Sequence, residues 1–136
     1  MALQRILIRT HHMTSRKKIG VITRATKRLD CSVVLKVGTS PGIMMCEGNE
    51  GHTGEWETVV RWAETNKRGQ KLRYKDMRLL KREIIPELRL AALGVQEGNV
   101  REIEEIKDFG KLLEKDAALF RWWRIGMGYL KDDDGC

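Results

Sequence analysis

The order of apolar patterns along the first 75 residues constrains the fold more than any other feature of the chain. Apolar residues at spacings of three and four predict amphipathic helices at 14–30 and 53–66. Strict alternation predicts strands, because successive side chains of a strand point to opposite faces. Such alternation occurs at 3–9, 32–37 and 71–75. Residues 43–47 are expected to form the hairpin partner of 32–37, because a dense turn signal lies at 38–42. The predicted order is therefore β-α-β-β-α-β.

This order predicts a ferredoxin-like α+β fold, with an antiparallel four-stranded sheet and both helices on one face. We expect residues 1–78 to form this core. Residues 79–136 are expected to form a C-terminal helical extension that packs on it, within one structural domain. Two predicted helices of the extension, at about 103–115 and 116–125, carry too much apolar surface to leave in water. They should dock over a sheet edge or over the open sheet face.

Charge is distributed unevenly along the chain. Residues 1–82 carry 18 Lys and Arg against 7 Asp and Glu, whereas residues 83–136 carry 8 against 12. A positive field raises the local concentration of polyanions, so a nucleic acid is the first partner to consider. A protein with an acidic surface is the alternative, and a solvated surface with no partner is a third interpretation.

Several sequence features bear on the cellular compartment. No apolar run approaches the roughly 20 residues that span a bilayer, and the N-terminus lacks the apolar core of a signal peptide. Cys31, Cys46 and Cys136 are widely spaced, which predicts reduced thiols. We expect an intracellular protein, cytoplasmic or nuclear, without membrane association. Because a strand pattern starts at the first residues, a fragment of a larger protein is one interpretation of the chain.

Three segments resemble a known family. They are Leu7-Ile8-Arg9-Thr10-His11-His12-Met13-Thr14-Ser15-Arg16-Lys17-Lys18, Ser40-Pro41-Gly42-Ile43-Met44-Met45-Cys46-Glu47-Gly48, and Lys107-Asp108-Phe109-Gly110-Lys111-Leu112. They resemble the C-terminal domain of RWD-domain-containing proteins of the second type. That domain is similar to the C-terminal domain of the spliceosomal Prp-three protein. The resemblance implies a ferredoxin-like fold and binding to RNA, including structured small RNA. A protein interaction module within an RWD-type adaptor is the alternative function.

The start of the first helix carries the strongest local charge pattern. Arg16, Lys17 and Lys18 fall in its first turn, where free N–H groups already present positive potential. A bound phosphate would make this placement favourable, because the cations and the Ser15 hydroxyl would converge on one anion. The alternative is a solvated basic turn.

Basic residues also recur at alternate positions of the predicted strands, which point to one face of the sheet. The residues expected to share the sheet face opposite the helices are Arg5, Arg9, Lys36, Arg73 and Lys75. No exposed aromatic pair accompanies them, which favours recognition of RNA backbone and shape over stacking of unpaired bases. Ordinary gatekeeping charges on a sheet are the alternative interpretation.

No residue pattern indicates catalysis, a metal site or a cofactor. His11 and His12 are adjacent and lack the spacing of metal ligands, so we expect them to bond the chain turn or a phosphate. Cys46 is interpreted as a small strand residue. We therefore predict a non-catalytic RNA-binding module. Its predicted nucleic-acid-binding residues are Arg9, His11, His12, Ser15, Arg16, Lys17, Lys18, Lys36, Arg73 and Lys75.

Overall fold

A computed structural model describes residues 2–132 of the chain. The strands are β1 (Leu3–Thr10), β2 (Ser32–Lys36), β3 (Gly42–Asn49), β4 (Glu64–Thr65), β5 (Lys71–Leu72), β6 (Arg78–Ile85) and β7 (Val100–Ile103). The helices are α1 (Arg16–Arg28), α2 (Glu50–Arg61), α3 (Ile106–Leu113) and α4 (Ala117–Gly126), with a short 3-10 helix at Ala91–Leu93. Cys136 lies outside the described residues.

The main sheet has five strands in the order β6-β1-β3-β2-β7. The first four are antiparallel to their neighbours, whereas β7 runs parallel to β2. The α+β class is confirmed, but the prediction of a four-stranded antiparallel sheet is wrong. The sheet is mixed because residues 100–103 return alongside β2 after the chain has crossed the molecule.

The fourth strand of the predicted unit lies elsewhere in the chain. The expected strand at 71–75 contributes only β5, which pairs with β4 in a separate two-stranded ribbon. Its place beside β1 is taken by β6. The pairing of β6 shifts register between Leu7 and Ile8, and this bulge leaves Leu80 without a partner on β1. Strand β6 begins at residue 78 and β7 follows it. Two strands of the main sheet therefore lie in the region that was predicted to be a helical extension.

Helices α1 and α2 cover one face of the sheet. In α1, the predicted apolar stripe of Ile19, Ile22, Ala25 and Leu29 is buried against alternate residues of the strands. Helix α2 begins at Glu50, three residues before the predicted start at residue 53, and follows directly on β3, which extends to Asn49. The Asn49 side chain caps the helix by accepting from the Gly51 N–H.

Helices α3 and α4 cover the opposite face. Their apolar side chains form a second core with sheet residues that include Leu7, Val34 and Met45. The larger ones are Phe109, Leu112, Leu113, Leu119, Trp122 and Trp123. The expected docking of the late helices thus takes place over the open face, so each face of the main sheet packs against two helices. No helix among residues 2–132 is long and apolar enough to cross a membrane.

Candidate functional site

Three segments of the chain meet at the edge of the sheet where β1 ends and β6 begins. Met13 and Gly38 exchange two backbone hydrogen bonds of 3.2 and 2.7 Å, which fold the 38–41 loop against the residues after β1. Gly42 permits this approach, since a Cβ there would lie 2.1 Å from Thr10 Oγ1. The Tyr74 hydroxyl donates to the His12 carbonyl at 3.3 Å. The segment before β6 is thereby held beside the end of β1 and the start of α1.

An open groove of about 440 Å³ lies between these segments. We call it the basic groove; it is lined by Arg9, Thr10, His11, Ser40, Lys75, Asp76, Met77, Arg78 and Leu80. Three of its lining residues are permanent cations that are exposed to solvent: Arg9, Lys75 and Arg78. No carboxylate among residues 2–132 forms an ion pair with any of these three. Asp76 also lines the groove, so the three cations and this one carboxylate give a concave site with net positive charge.

The start of α1 follows groove residue His11 in the chain and contacts Tyr74 through Lys18, but two of its cations are already paired. Ser15 is the N-cap, and its hydroxyl accepts from the Lys18 N–H at 3.2 Å. Arg16 forms a two-pronged ion pair with Glu102 on β7, at 2.7 and 3.1 Å. Lys18 Nζ lies 2.8 Å from a Glu64 oxygen and 3.7 Å from the centre of the Tyr74 ring. An RNA phosphate would have to compete with these carboxylates, whereas exposed Lys17 has no carboxylate partner within residues 2–132.

The Arg16–Glu102 pair alters the ionisation of both partners. The hydrogen bond from Arg16 lowers the pKa of Glu102, and the same hydrogen bond raises the pKa of Arg16. A carboxylate with a lowered folded-state pKa contributes stability above its unfolded pKa and loses it as the pH falls through the folded pKa. At neutral pH the Arg16 guanidinium is therefore paired with Glu102, and acid that protonates Glu102 frees Arg16 for other anions.

Replacing Glu102 by glutamine tests this competition. We expect Glu102→Gln to tighten binding of an RNA oligonucleotide about two- to fivefold at neutral pH, because one opposing charge beside Arg16 is lost. Stability should change little, since the pair is exposed. Fluorescence anisotropy measures the binding. Glu55→Gln, which removes the carboxylate of the exposed Arg28–Glu55 pair at the other end of α1, is the control and should leave affinity unchanged. Equal affinities for Glu102→Gln and the wild type would show that Arg16 lies outside the RNA site.

Several predicted site residues do not lie on a common sheet face. Lys36 is buried, and its ammonium donates to the Thr39 and Val37 carbonyls at 2.6 and 3.4 Å. It is enclosed because α3 and α4 cover the face to which it points. Arg73 and Lys75 follow β5 and lie outside the main sheet. The predicted basic strand face is therefore wrong, although Arg9, His11 and Lys75 come together in the groove.

His11 and His12 are both exposed at the end of β1, with ring centroids 5.3 Å apart. His11 lines the basic groove, and the His12 carbonyl receives the Tyr74 hydroxyl. No group of three or more His, Cys, Asp or Glu side chains within residues 2–132 is arranged to hold a metal ion. Both imidazoles thus lie where they can donate to a phosphate.

Cys46 lies in the core between the sheet and the first two helices. Its side chain is fully buried, as is that of Cys31, and both are free thiols. Burial raises the pKa of the Cys46 thiol well above its usual range, and a hydrogen bond with Cys31 adds to the shift. A protonated thiol in the core is a poor nucleophile. Its position fits the prediction of a strand residue that fills space.

The sequence interpretation missed Arg78 and most of the segment that leads to it. Residues 64–78, which we call the basic ribbon, contain β4, β5 and a turn in which Asn66 Oδ1 accepts from the Arg68 and Gln70 N–H groups, both at 2.9 Å. Its exposed cations are Lys67, Arg68, Lys71, Arg73, Lys75 and Arg78. The sequence feature that indicates this segment is the density of its cations, six in twelve residues around a Gly-containing turn.

Comparison with known proteins supports the fold alone. No protein-family model matches the chain, and neither does any curated protein. The chain is similar in structure to a bacterial light-regulated adenylyl cyclase, with a TM-score of 0.52 and 16% sequence identity. The match covers 90% of this chain and 36% of the cyclase chain, so this chain spans about a third of that protein. Since one fold hosts many functions, the activity must be argued from the site.

Proposed function

We propose that the chain is a non-catalytic RNA-binding module that contacts phosphate backbone through the basic groove and the start of α1. The observation that carries the proposal is the set of three unpaired cations, Arg9, Lys75 and Arg78, in one concave site. Phosphate contacts by Lys and Arg supply most of the affinity for nucleic acids. No cofactor enters this function.

Membership of the family of RWD-domain-containing proteins of the second type is part of the proposal. Two of the three resembling segments border the groove: residues 7–18 form the end of β1 and the start of α1, and residues 40–48 begin at Ser40 on the groove wall. The third segment, 107–112, lies in α3 on the other side of the sheet. The resemblance to the spliceosomal Prp-three domain favours RNA over other polyanions.

A protein interaction module is the second candidate. The observation in its favour is β6, an edge strand of eight residues on which Ile84 is 52% exposed. Unpaired backbone groups on such an edge accept an added strand from a partner. If the chain is part of an adaptor of this kind, its basic groove would contact an acidic segment of the protein that the adaptor binds.

Fluorescence anisotropy with labelled single-stranded, duplex and hairpin RNAs separates these functions. We expect saturable binding that weakens steeply between low and physiological salt and that prefers one RNA shape. Polyglutamate of similar length is the control, because it carries charge without phosphate geometry. Polyglutamate binding as tight as RNA binding would contradict the proposal and favour the acidic protein partner.

A further inference from the structure

Trp62 differs from the other tryptophans in its exposure. Its side chain is 46% exposed at the C-cap of α2, whereas Trp56, Trp122 and Trp123 are between 0 and 8% exposed. The three buried rings belong to the two cores. An indole that is nearly half exposed at a helix end offers part of its apolar face to a ligand.

The basic ribbon holds Trp62 in a cationic setting. The Tyr74 N–H donates to the Arg61 carbonyl at 2.6 Å, so the chain after β5 runs beside the end of α2. Lys71 and Arg73 flank this contact, and both are exposed without an ion-pair partner among residues 2–132. Leu72, which is 42% exposed, extends the apolar surface of the ribbon. An exposed aromatic ring therefore lies at the helix end that the cationic segment 71–75 is hydrogen-bonded to.

The same contacts place Trp62 near the basic groove. Tyr74 is the residue before Lys75, which lines the groove, and its hydroxyl reaches His12 beside groove residue His11. A nucleic-acid strand held by its phosphates in the groove would therefore have its next nucleotides within reach of the indole.

We infer that Trp62 is a stacking platform for one unpaired RNA base, next to the phosphates held in the basic groove. This inference rests on the proposed function and adds base contact to it. An aromatic face beside Lys and Arg is the arrangement that binds single-stranded nucleic acid, because every base has a π-face and every nucleotide a phosphate. A second copy of the chain is disfavoured as the occupant, since it would bring Lys71 and Arg73 against their own like charges.

An oligonucleotide with and without bases tests the inference directly. A short single-stranded RNA and an abasic oligonucleotide of the same length carry the same phosphates, so their affinity ratio reports base contact. We expect the wild type to prefer the RNA roughly ten- to a hundredfold, the range for stacking of one base. Trp62→Leu should abolish the preference and leave the salt dependence unchanged, because no charge is removed. Trp62→Phe is the matched control and should keep most of the preference.

The outcomes separate this inference from the proposed function. Equal binding of both oligonucleotides by the wild type, or an unchanged preference in Trp62→Leu, would overturn the stacking role and leave phosphate binding in place. Failure of the wild type to bind either one would overturn both. Far-ultraviolet circular dichroism of Trp62→Leu confirms that the variant is folded, as its exposed position predicts.

Discussion

Replacing Glu47 by alanine is expected to remove about 3–5 kcal/mol from the free energy of unfolding. Glu47 is fully buried and lies 2.6 Å from Arg5 Nε. Its second oxygen accepts from the Arg89 and Leu90 N–H groups, both at 2.7 Å. The substitution leaves two backbone donors without a partner and leaves the buried Arg5 charge with no carboxylate, only its contact with the Trp122 ring. This costs more than the loss of the contact itself. Urea denaturation followed by circular dichroism measures the change.

Two further variants show whether the unpaired charge is the cause. Glu55→Ala removes the carboxylate of the exposed Arg28–Glu55 pair, whose closest atoms are 3.7 Å apart, and should change stability by less than about 0.5 kcal/mol. Arg5→Met combined with Glu47→Gln removes the isolated charge and should be more stable than Glu47→Ala. If Glu47→Ala lowers the free energy of unfolding by less than about 1 kcal/mol, the stabilising role of the buried Arg5–Glu47 pair would be contradicted.

Replacing Arg9, Lys75 and Arg78 together by alanine is expected to weaken RNA binding about a hundredfold at physiological salt, since each phosphate contact is worth about 1 kcal/mol. All three side chains are exposed and form no ion pair within residues 2–132, so the fold should be retained. Fluorescence anisotropy with the preferred RNA measures the loss.

A charge-matched variant controls for the loss of three positive charges. Arg24, Lys27 and Arg28 are exposed near the C-terminal end of α1, whereas the groove lies near its N-terminal end. Their joint replacement by alanine changes the net charge equally and should weaken binding less than tenfold. Equal losses for the two triple variants would mean that RNA responds to net charge and not to the groove.

The parts of the fold that the sequence predicted are those with unbroken periodicity. Alternation in β1 and β2 assigned Ile6, Ile8 and Val33 to one face and Leu7 and Val34 to the other, as the two cores show. Strand β6 was missed because its apolar residues come in adjacent pairs, Leu79-Leu80 and Ile84-Ile85, so its sequence does not alternate. Strand β7 was missed because it has four residues, of which Arg101 and Glu102 are exposed.

The grouping of the candidate site residues could not be predicted from local patterns. Arg9, His11 and Lys75 come together in the groove, but this grouping depends on long-range contacts such as Tyr74 with His12. Lys36 was assigned to an open face because nothing local shows that α3 and α4 cover it. The pairing of Arg16 with Glu102 joins residues 86 positions apart, which no local pattern predicts.

The salt dependence of RNA binding tests the central claim most directly. The logarithm of the association constant is measured against the logarithm of salt concentration for the wild type and for the Arg9, Lys75 and Arg78 triple variant. Each phosphate contact on a single strand contributes about 0.7 to the slope. We predict that the slope of the triple variant is smaller by about 2. Identical slopes would show that these three cations release no counterions on binding, and would contradict the groove as the phosphate site.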